Sequence, residues 1–253
     1  MYTTITFDKQ AGIGIVALNR PDVLNAMDMV MREELKDVFA AITKDDEVRV
    51  IVIKGNGRAF CAGGDLSTMG EVPVGAGIKR MHNVHLLYKA IQTLGKPVIA
   101  MIQGAATGSG LSMACACDFR IAADNSKFAA SFINVGLVPD CGIMYALPRI
   151  VGLSKAKEMF MRATMVKAAQ ALEIGLVDKV VPTEELEQEV MALASELASK
   201  SSIALGLLKE ITNKAFELSL PDLMQYEAFA QDVCFSSEAH RSAVKKFLEA
   251  RKK

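Results

Sequence analysis

A single carboxylate lies in the apolar stretch GLVPDCG, residues 136–142, and its position allows two roles. Asp140 follows a proline and precedes a run of helical pattern, which is a common signal for a helix N-cap. A lone carboxylate among apolar residues can also act as a general acid and base. We expect four apolar neighbours to bury it: Leu137, Val138, Ile143 and Met144. The residues around Asp140 leave both interpretations open.

Two glycine-rich loops could stabilise a developing negative charge. The first is AFCAGGDL, residues 59–66, and the second is GAATGSG, residues 104–110, which separates a predicted strand from a predicted helix. Glycine permits close approach of backbones, and the first N–H groups of a helix have no internal acceptor. Two N–H groups directed at one point form an oxyanion hole, to which a helix dipole adds. The alternative is that these glycines only turn the chain.

A serine-centred triad and a histidine metal pair are the other chemical possibilities. Ser112, Asp140 and His240 follow the chain order of an α/β-hydrolase triad, but the pattern places Ser112 inside a helix and not on the turn before it. His82 and His85 share a helix face, yet no Asp or Glu occurs from residue 72 to residue 117 to complete a metal site. We therefore predict no metal. The chain also lacks the glycine-rich motifs that bind nucleotides.

The composition gives no reason to expect nucleic acid or a membrane as a partner. Of 253 residues, 51% are hydrophobic, and 29 basic residues balance 29 acidic ones. Five scattered cysteines and a start, MYTTITFDK, without an apolar leader favour reduced thiols and a cytoplasmic protein. The uncharged residues 97–117 are numerous enough to span a bilayer. Their glycines, serines and Gln103 favour a buried strand, a turn and a helix instead.

Alternating strand and helix patterns must position the two loops. A hairpin is predicted over residues 5–20, a helix with Asp28 as N-cap over residues 28–42, and a strand buried on both faces over residues 48–55. A helix near residues 78–94 and further strand–helix pairs follow it. This order predicts an α/β fold with covered sheets.

The pattern changes in the last third of the chain. From Ser154 onward helical periodicity dominates, apart from the short run GLVDKVV, and long helices are predicted to begin after Pro182 and at Leu220. These helices are too amphipathic to stand alone, so we expect an oligomer. The chain is accordingly divided into a core, residues 1–190, and a helical oligomerisation region, residues 191–253.

Six collinear segments resemble a known family. They are RPDVLNAM from residue 20, AFCAGGDL from residue 59, KPVIAMIQGAATGSG from residue 96, CDFRIAADNSKF from residue 117, GLVPDCGIMYALPRIVG from residue 136 and AVKKFLEARK from residue 243. Over nearly the whole chain they resemble the crotonase superfamily. The resemblance implies a spiral of ββα units with a C-terminal helical trimerisation region. It also implies an acyl-CoA thioester substrate without a separate cofactor, and a homotrimer or a hexamer made of two trimers.

The same resemblance assigns site residues by position. The oxyanion hole would be formed by the backbone N–H groups of Ala62 and Ser109, where Ser109 replaces the family's usual glycine. Seven residues would contact CoA: Asn25, Ala26, Ala62, Gly63, Gly64, Asp65 and Leu66.

A second CoA contact is implied from a neighbouring subunit. Phe247 matches a C-terminal aromatic residue that reaches CoA across the subunit interface. The basic residue expected three positions later is Ala250, so that contact would need Arg251 or Lys252. The acyl pocket would be built by residues 67–77 and the helix after them.

Two departures from the family pattern bear on the reaction. Hydratases of the family hold a water between two glutamates, and the matching positions here are Ser112 and Phe132. The serine cannot act as the base for water at neutral pH without help, and the phenylalanine cannot act as a base at all. Asp140 matches the position of the single acid/base carboxylate of the family's isomerases, and of the nucleophile of its aryl-CoA dehalogenases. The resemblance therefore favours an enoyl-CoA isomerase with Asp140 as acid and base.

Three alternatives remain open at the level of sequence. Asp140 could serve a hydratase with an unusual water arrangement. It could instead attack covalently in thioester hydrolysis or dehalogenation, although the related dehalogenases use a pocket tryptophan, and this chain has none. It could also be a cap in a protein that binds acyl-CoA with little catalysis.

Overall fold

Nine strands form two sheets in the computed structural model, which describes residues 2–70, 73 and 75–251. The strands are β1 (Ile5–Gln10), β2 (Ile13–Leu18), β3 (Val50–Gly55), β4 (Val98–Ile102), β5 (Ala105–Thr107), β6 (Phe119–Ala123), β7 (Lys127–Ala129), β8 (Val166–Lys167) and β9 (Lys179–Val181). The larger sheet has the order β1-β2-β3-β4-β6-β9, and the smaller has the order β5-β7-β8. Neighbouring strands are parallel except in the pairs β1–β2 and β7–β8.

Ten α-helices accompany these sheets within the same described residues. They are α1 (Met29–Thr43), α2 (Ala76–Thr93), α3 (Ser109–Ala116), α4 (Ile143–Val151), α5 (Leu153–Arg162), α6 (Ala168–Glu173), α7 (Leu186–Ala198), α8 (Ser202–Asn213), α9 (Leu220–Ser236) and α10 (Glu238–Ala250). The helix predicted near residues 78–94 is α2, and the uncharged residues 97–117 fold into β4, β5 and α3.

A repeated unit relates the two sheets. In the pairs β4–β5 and β6–β7, the first strand joins the six-stranded sheet and the second joins the three-stranded sheet. An equivalent pair begins with β3, because Cys61 forms a parallel bridge to Ala106 in β5. Helix α3 follows one pair and α4 follows the next. The predicted spiral of ββα units is therefore confirmed.

Both faces of the large sheet are buried, which explains the nearly continuous apolar sequence of β3. Ile51 and Ile53 pack in the cluster that contains the buried faces of α1 and α2. Val50 and Val52 point to the opposite face, where they pack with the buried side of α7. Successive side chains of a strand alternate between faces, so a strand covered on both sides has few positions left for polar residues.

The hairpin β1–β2 and helix α1 form as the sequence predicts, and residues at their own turn and cap determine where they begin and end. The hairpin between β1 and β2 turns at Ala11 (φ 49°) and Gly12 (φ 81°), two consecutive left-handed residues that match the twist of a two-residue hairpin. Asp28 caps α1, because its side chain accepts a hydrogen bond of 2.8 Å from the Met31 N–H.

The C-terminal third is helical, as predicted, but the predicted boundary after residue 190 falls inside α7. Beyond this boundary, Ala194 and Ala198 are still buried against the large sheet with Val190. By contrast, α9 and α10, all of whose residues are described, contain no buried side chain.

No single helix among the described residues is both long and apolar enough to cross a membrane. The segments Thr183–Ala198 and Ser202–Asn213 pass that test only together, as a pair bent by 104°.

Candidate active site

A pocket of about 260 Å³ lies where the two glycine-rich loops meet. Residues from four parts of the chain line it: Arg32, Ala62, Gly63, Gly64, Leu66, Met69, Gly108, Ser109, Ser131, Phe132, Asn134, Val135, Leu137 and Asp140. The structure therefore places Asp140, Ala62 and Ser109, the three predicted catalytic residues, around one cavity.

The close contact of the two loops depends on glycine. Gly63 has φ 109°, and a β-carbon on it would come within 3.0 Å of the Thr107 carbonyl oxygen and 3.7 Å of the Ser109 nitrogen. The hydroxyl of Thr107 also donates to the Ala62 carbonyl oxygen at 2.8 Å. The first loop is thus held directly against the N-terminus of α3.

The prediction that the Ala62 N–H forms part of an oxyanion hole is wrong in this structure. That N–H donates to the Leu24 carbonyl oxygen at 3.0 Å, so it is not free to bind a substrate oxygen.

Gly64 carries a free N–H group in this loop and lines the pocket. The neighbouring peptide groups are used in a bridge to Met27, whose N–H donates to Gly63 O (2.8 Å) and whose carbonyl accepts from Asp65 N (3.0 Å). Successive N–H groups of an extended segment point to opposite sides, and that of Gly64 finds no acceptor in the described part of the chain. Ser109, the first residue of α3, likewise has an N–H without an acceptor there. Gly64 and Ser109 therefore supply one free N–H group from each loop at this pocket.

Asp140 is not the cap of the helix that follows it. Gly142 (φ 76°) is the N-cap of α4, and no side chain caps that helix. Cys141 (φ 59°) is also left-handed, so the chain turns twice between Asp140 and Ile143, and only the Asp140 carbonyl bonds to the Ile143 N–H (3.2 Å). The carboxylate is consequently not committed to a helix end.

The expected apolar enclosure of Asp140 is also wrong in most of its parts. Val138 is 75% exposed, Met144 is 58% exposed and Leu137 is 43% exposed, while Ile143 alone of the four is buried. Asp140 itself is half-buried on the pocket wall. Its side chain is held instead by a polar contact, because the Cys141 Sγ–H donates to Oδ1 at 2.8 Å.

The two positions that match the hydratase glutamates carry no acid in the folded chain. Ser112 is buried in α3, and its hydroxyl lies 3.3 Å from both the Gly108 and Asp140 carbonyl oxygens, so it can donate to either. Phe132, 7% exposed, supplies an apolar wall to the pocket. Asp140 is the one carboxylate among the described lining residues.

The triad and metal alternatives receive no support. Ser112 lies inside α3, while His240 lies on the exposed helix α10, where its ring meets Phe235 edge-on at 5.5 Å. His82 and His85 are exposed on α2, and no group of three potential metal ligands occurs among the described residues. His85 does line a second cavity, of about 220 Å³, together with Ser112 and Cys141.

Asn25 must be removed from the set of predicted CoA contacts. It has no exposed surface, and its side-chain amide donates to the Asn56 and Ala59 carbonyl oxygens, both at 2.9 Å. Its Oδ1 accepts from the Arg20 N–H at 2.9 Å. Asn25 therefore stabilises the loop from within and presents no free polar atom to a ligand.

The other residues of that set lie at the rim of the pocket or near it. Leu66 is 56% exposed and lines the pocket with Gly63 and Gly64. Asp65 accepts hydrogen bonds from the Ser67 hydroxyl and from the Arg20 guanidinium, which lower its pKa. The same guanidinium also bonds to the Ala26 carbonyl oxygen. Arg20 thus ties the two loop segments together, a role that the sequence did not reveal.

Phe247 lies on α10, away from the other predicted contacts in the chain. Its ring is 58% exposed and packs against Arg251, whose guanidinium carbon lies 4.8 Å from the ring centre. Arg251 therefore stands beside Phe247, as the missing basic residue would; Lys252 lies outside the described residues.

Two further residues contact the site without having been predicted. Arg32 is on the buried face of α1, which it shares with Leu35, Phe39 and Ile42. A basic residue in register with an apolar helix stripe is a signal that the sequence did contain. The other is Cys141, whose pKa is raised to about 12 by burial and by the adjacent Asp140.

Comparisons with known proteins agree with the fold and identify the family. The family described as enoyl-CoA hydratase/isomerase matches residues 8–253. Crotonyl-CoA hydratase of Syntrophomonas wolfei is 34% identical over 99% of this chain and 97% of its own, and 1,2-epoxyphenylacetyl-CoA isomerase of Escherichia coli is 33% identical over 96% and 94%. A structure titled putative enoyl-CoA hydratase from Streptomyces coelicolor superposes with a TM-score of 0.95 at 29% identity, covering 99% of this chain and 93% of that one.

The fold and the paired loops define a crotonase-type protein. The chain belongs to the enoyl-CoA hydratase/isomerase family of the crotonase superfamily, and it is an enzyme of that family.

Proposed function

We propose that this enzyme shifts a carbon–carbon double bond in an enoyl-CoA, with Asp140 as its single acid and base. One observation carries the proposal: Asp140 shares a pocket with the unpaired N–H groups of Gly64 and Ser109, and no second described carboxylate lines it. The substrate is an acyl-CoA thioester, and Ala26, Gly63, Asp65 and Leu66 stay the proposed CoA contacts.

The proton transfers balance with one carboxylate. Asp140 removes a proton from the carbon between the double bond and the thioester, and the electron pair moves onto the thioester oxygen as a dienolate. The Gly64 and Ser109 N–H groups stabilise that oxygen. The protonated Asp140 then returns the proton to the far carbon of the original double bond, which re-forms the thioester carbonyl and leaves the double bond in conjugation with it. No water and no separate cofactor take part.

The test compares Asp140→Asn with the wild-type enzyme on matched 3-enoyl-CoA and 2-enoyl-CoA substrates. We expect turnover to fall by at least about 100-fold, because the amide cannot accept the proton, while acyl-CoA binding persists. Product double-bond position is read by NMR. As a matched control, Asp124→Asn, which lies outside the pocket, should leave turnover unchanged. Unchanged turnover in Asp140→Asn would rule out the proposed role.

Hydration is the second candidate, because most of the named relatives are hydratases, among them the one from Syntrophomonas wolfei. Ser112 and Phe132 argue against it, since neither can activate water. We expect slow addition of water to crotonyl-CoA. A rate equal to or above the rate of double-bond migration would favour the hydratase and reject the isomerase.

Covalent attack by Asp140 and simple acyl-CoA binding give different signatures. A nucleophilic Asp140 would take up heavy oxygen from labelled water during turnover, which mass spectrometry of the tryptic peptide detects. A binding protein would hold acyl-CoA but convert none of the substrates. The isomerase proposal expects turnover and no label in Asp140.

The proposal includes the assembly and the compartment. Helices α9 and α10 carry exposed apolar side chains throughout, which supports a homotrimer or a hexamer in which Phe247 reaches the CoA of a neighbouring subunit. Sedimentation tests this, and a monomer at micromolar concentration would contradict it. The five free cysteines support a cytoplasmic location.

A further inference from the structure

Arg32 is a buried cation without an anionic partner. The residue is 6% exposed, and its Nη1 atom has no hydrogen-bond partner within the described ranges. No carboxylate of those ranges lies within 4.0 Å of the guanidinium; the described ion pairs are formed by other residues. A buried charge that is not paired is strongly unfavourable, and arginine cannot lose its proton at physiological pH. The charge of Arg32 therefore calls for a functional explanation.

The guanidinium lies beside both residues that supply the free N–H groups. Nη2 is 3.5 Å from the Ser109 hydroxyl oxygen, and it lies 3.4 Å from the point where Gly64 would carry a β-carbon. Arg32 also lines the pocket that contains Asp140. The hydroxyl of Ser109 in turn faces Cys141, with 3.9 Å between Oγ and Sγ, and Cys141 donates to Asp140. The serine that replaces a glycine is thus turned towards this polar cluster.

The pocket holds one negative and one positive group. Among its described lining residues, Asp140 is the one acidic side chain and Arg32 is the one basic side chain. The adjacent Cys141 and Tyr88 are neutral there, because burial raises the pKa of Cys141 to about 12 and raises that of Tyr88 well above its ordinary value. Asp140 is consequently the nearby charge that offsets Arg32 in the free enzyme.

We propose that Arg32 is a positioning residue that compensates the negative charge of the pocket throughout the reaction. The charge resides on the Asp140 carboxylate before proton transfer and on the thioester oxygen after it. Arg32 lines the pocket that holds both places, so its charge offsets the negative charge before and after proton transfer. Ser109 holds the guanidinium in place through its hydroxyl while its own N–H binds the oxygen. This inference rests on the proposed function.

The first experiment compares Arg32→Met with Arg32→Lys. We expect Arg32→Met to lower kcat by about 10- to 100-fold with less than about a 2-fold change in KM, because the lost charge acts on the dienolate more than on the neutral thioester. Lysine keeps the charge and should restore part of kcat. Thermal unfolding is the structural control: methionine removes the buried charge and keeps an unbranched apolar chain, so Tm should not fall.

A second measurement does not depend on turnover. Acetoacetyl-CoA bound at an oxyanion hole is drawn into its enolate form, which has its own ultraviolet absorption. The enolate fraction should fall by about 10-fold in Arg32→Met, recover in Arg32→Lys and stay high in Asp140→Asn. Binding of butyryl-CoA, which does not form an enolate under these conditions, should be unchanged. Loss of the Asp140 role alone would leave this enolate result intact, so the two proposals fail separately.

A third variant tests the link through the hydroxyl of Ser109. Ser109→Gly keeps the N–H and removes the hydroxyl that contacts the Arg32 guanidinium, so kcat should fall by a few-fold. The kcat of the double variant with Arg32→Met should be little lower than that of Arg32→Met alone. Fully additive losses would contradict the link.

Two results would overturn the role of Arg32. One is an unchanged enolate fraction and kcat in Arg32→Met. The other is a loss of activity confined to acyl groups that carry a free carboxylate besides the thioester. It would appear as a raised KM for those substrates only, and it would make Arg32 a substrate-binding residue.

Discussion

The body of the chain buries a large apolar core, whereas its C-terminal arm buries none of its side chains. In the body, residues 2–198, α1 buries its apolar stripe completely, and both faces of the large sheet are covered. In the arm, residues 220–250, nine large apolar side chains are exposed: Leu220, Met224, Tyr226, Phe229, Val233, Phe235, Val244, Phe247 and Leu248. The body therefore contains its own core, whereas the arm has the composition of a helix pair that is completed by another surface.

The two regions also carry different parts of the predicted site. Every residue that lines the pocket lies in the body, so the reacting groups are positioned by one chain. Phe247 is the single predicted contact carried by the arm. We expect damage to the body to unfold the protein, and damage to the arm to change assembly and CoA affinity.

The largest effect is expected from Phe39→Ala in the body. Phe39 is 1% exposed inside α1, so its removal should cost about 3–5 kcal/mol in the free energy of unfolding. Phe229→Ala in the arm, where the ring is 65% exposed, is the matched control. Urea unfolding at several protein concentrations should show a constant loss for Phe39→Ala and a concentration-dependent loss for Phe229→Ala. Equal losses of stability in the two variants, independent of protein concentration, would contradict the proposed difference between the body and the arm.

A slightly smaller loss in the free energy of unfolding is expected for a substitution at the junction between the body and the arm. Lys209 in α8 is buried, and its Nζ donates to Asp118 at 2.7 Å and to the Ile91 and Lys96 carbonyl oxygens. Lys209→Met leaves the Asp118 carboxylate without its partner and should cost about 3 kcal/mol.

The control for this junction is Lys214→Met, because Lys214 forms an exposed ion pair with Glu210. Its loss should lie within about 0.5 kcal/mol of zero. The double variant of Lys209→Met with Asp118→Asn should recover part of the stability. A loss for Lys209→Met no larger than that for Lys214→Met would show that α8 is not fixed by this pair.

A charge placed in the arm should change assembly more than folding. Val233→Asp puts a carboxylate on the exposed apolar face of α9, where Val233 is 49% exposed. Sedimentation should show smaller species, while far-UV circular dichroism stays within error of the wild type. Glu227→Asp, on the same helix, should leave assembly unchanged. An assembly unaffected by Val233→Asp would mean that this face is not part of the interface.

The smallest effect is expected at the other end of the chain. Glu34 accepts hydrogen bonds from the backbone N–H and hydroxyl groups of Thr3 and Thr4. Burial alone would raise its pKa, but these bonds outweigh burial and lower it to about 2 from 4.5. A folded pKa below the unfolded value means that this stabilisation is present above pH 4.5 and is lost as the pH falls towards 2.

Glu34→Gln should therefore reduce the pH dependence of unfolding between pH 4.5 and 2. Hydrogen exchange at the Thr3 and Thr4 amides should be faster than in the wild type at neutral pH. Glu33→Gln is the control, because Glu33 bonds to Lys36 on the surface. If the stability of Glu34→Gln fell with pH between 4.5 and 2 as steeply as that of the wild type, the assigned pKa of Glu34 would be contradicted.

The elements of the body were predictable because local and global signals agree there. Asp28 caps α1, the hairpin turns at two left-handed residues, and the apolar strand β3 is buried on both faces. In each case the residues that decide the element lie within a few positions of it.

The errors in the site come from contacts between distant residues. The Ala62 N–H is used by Leu24, and Asn25 is enclosed by Asn56 and Ala59; neither bond can be inferred from spacing along the chain. The alternative that Asp140 caps α4 does not hold, because two left-handed residues displace the start of that helix.

The left-handed conformation of Cys141 has a stereochemical consequence. A residue with a β-carbon is disfavoured there by about 1–2 kcal/mol, and its thiol fixes Oδ1 of the preceding Asp140 from one side. In the proposed mechanism, a carboxylate held in this way would approach the acyl chain from a single direction. For the proposed isomerisation we therefore expect the proton that Asp140 removes and the proton that it returns to share one face of the substrate, so that the migration would be suprafacial and one of the two hydrogens on the reacting carbon would be exchanged selectively.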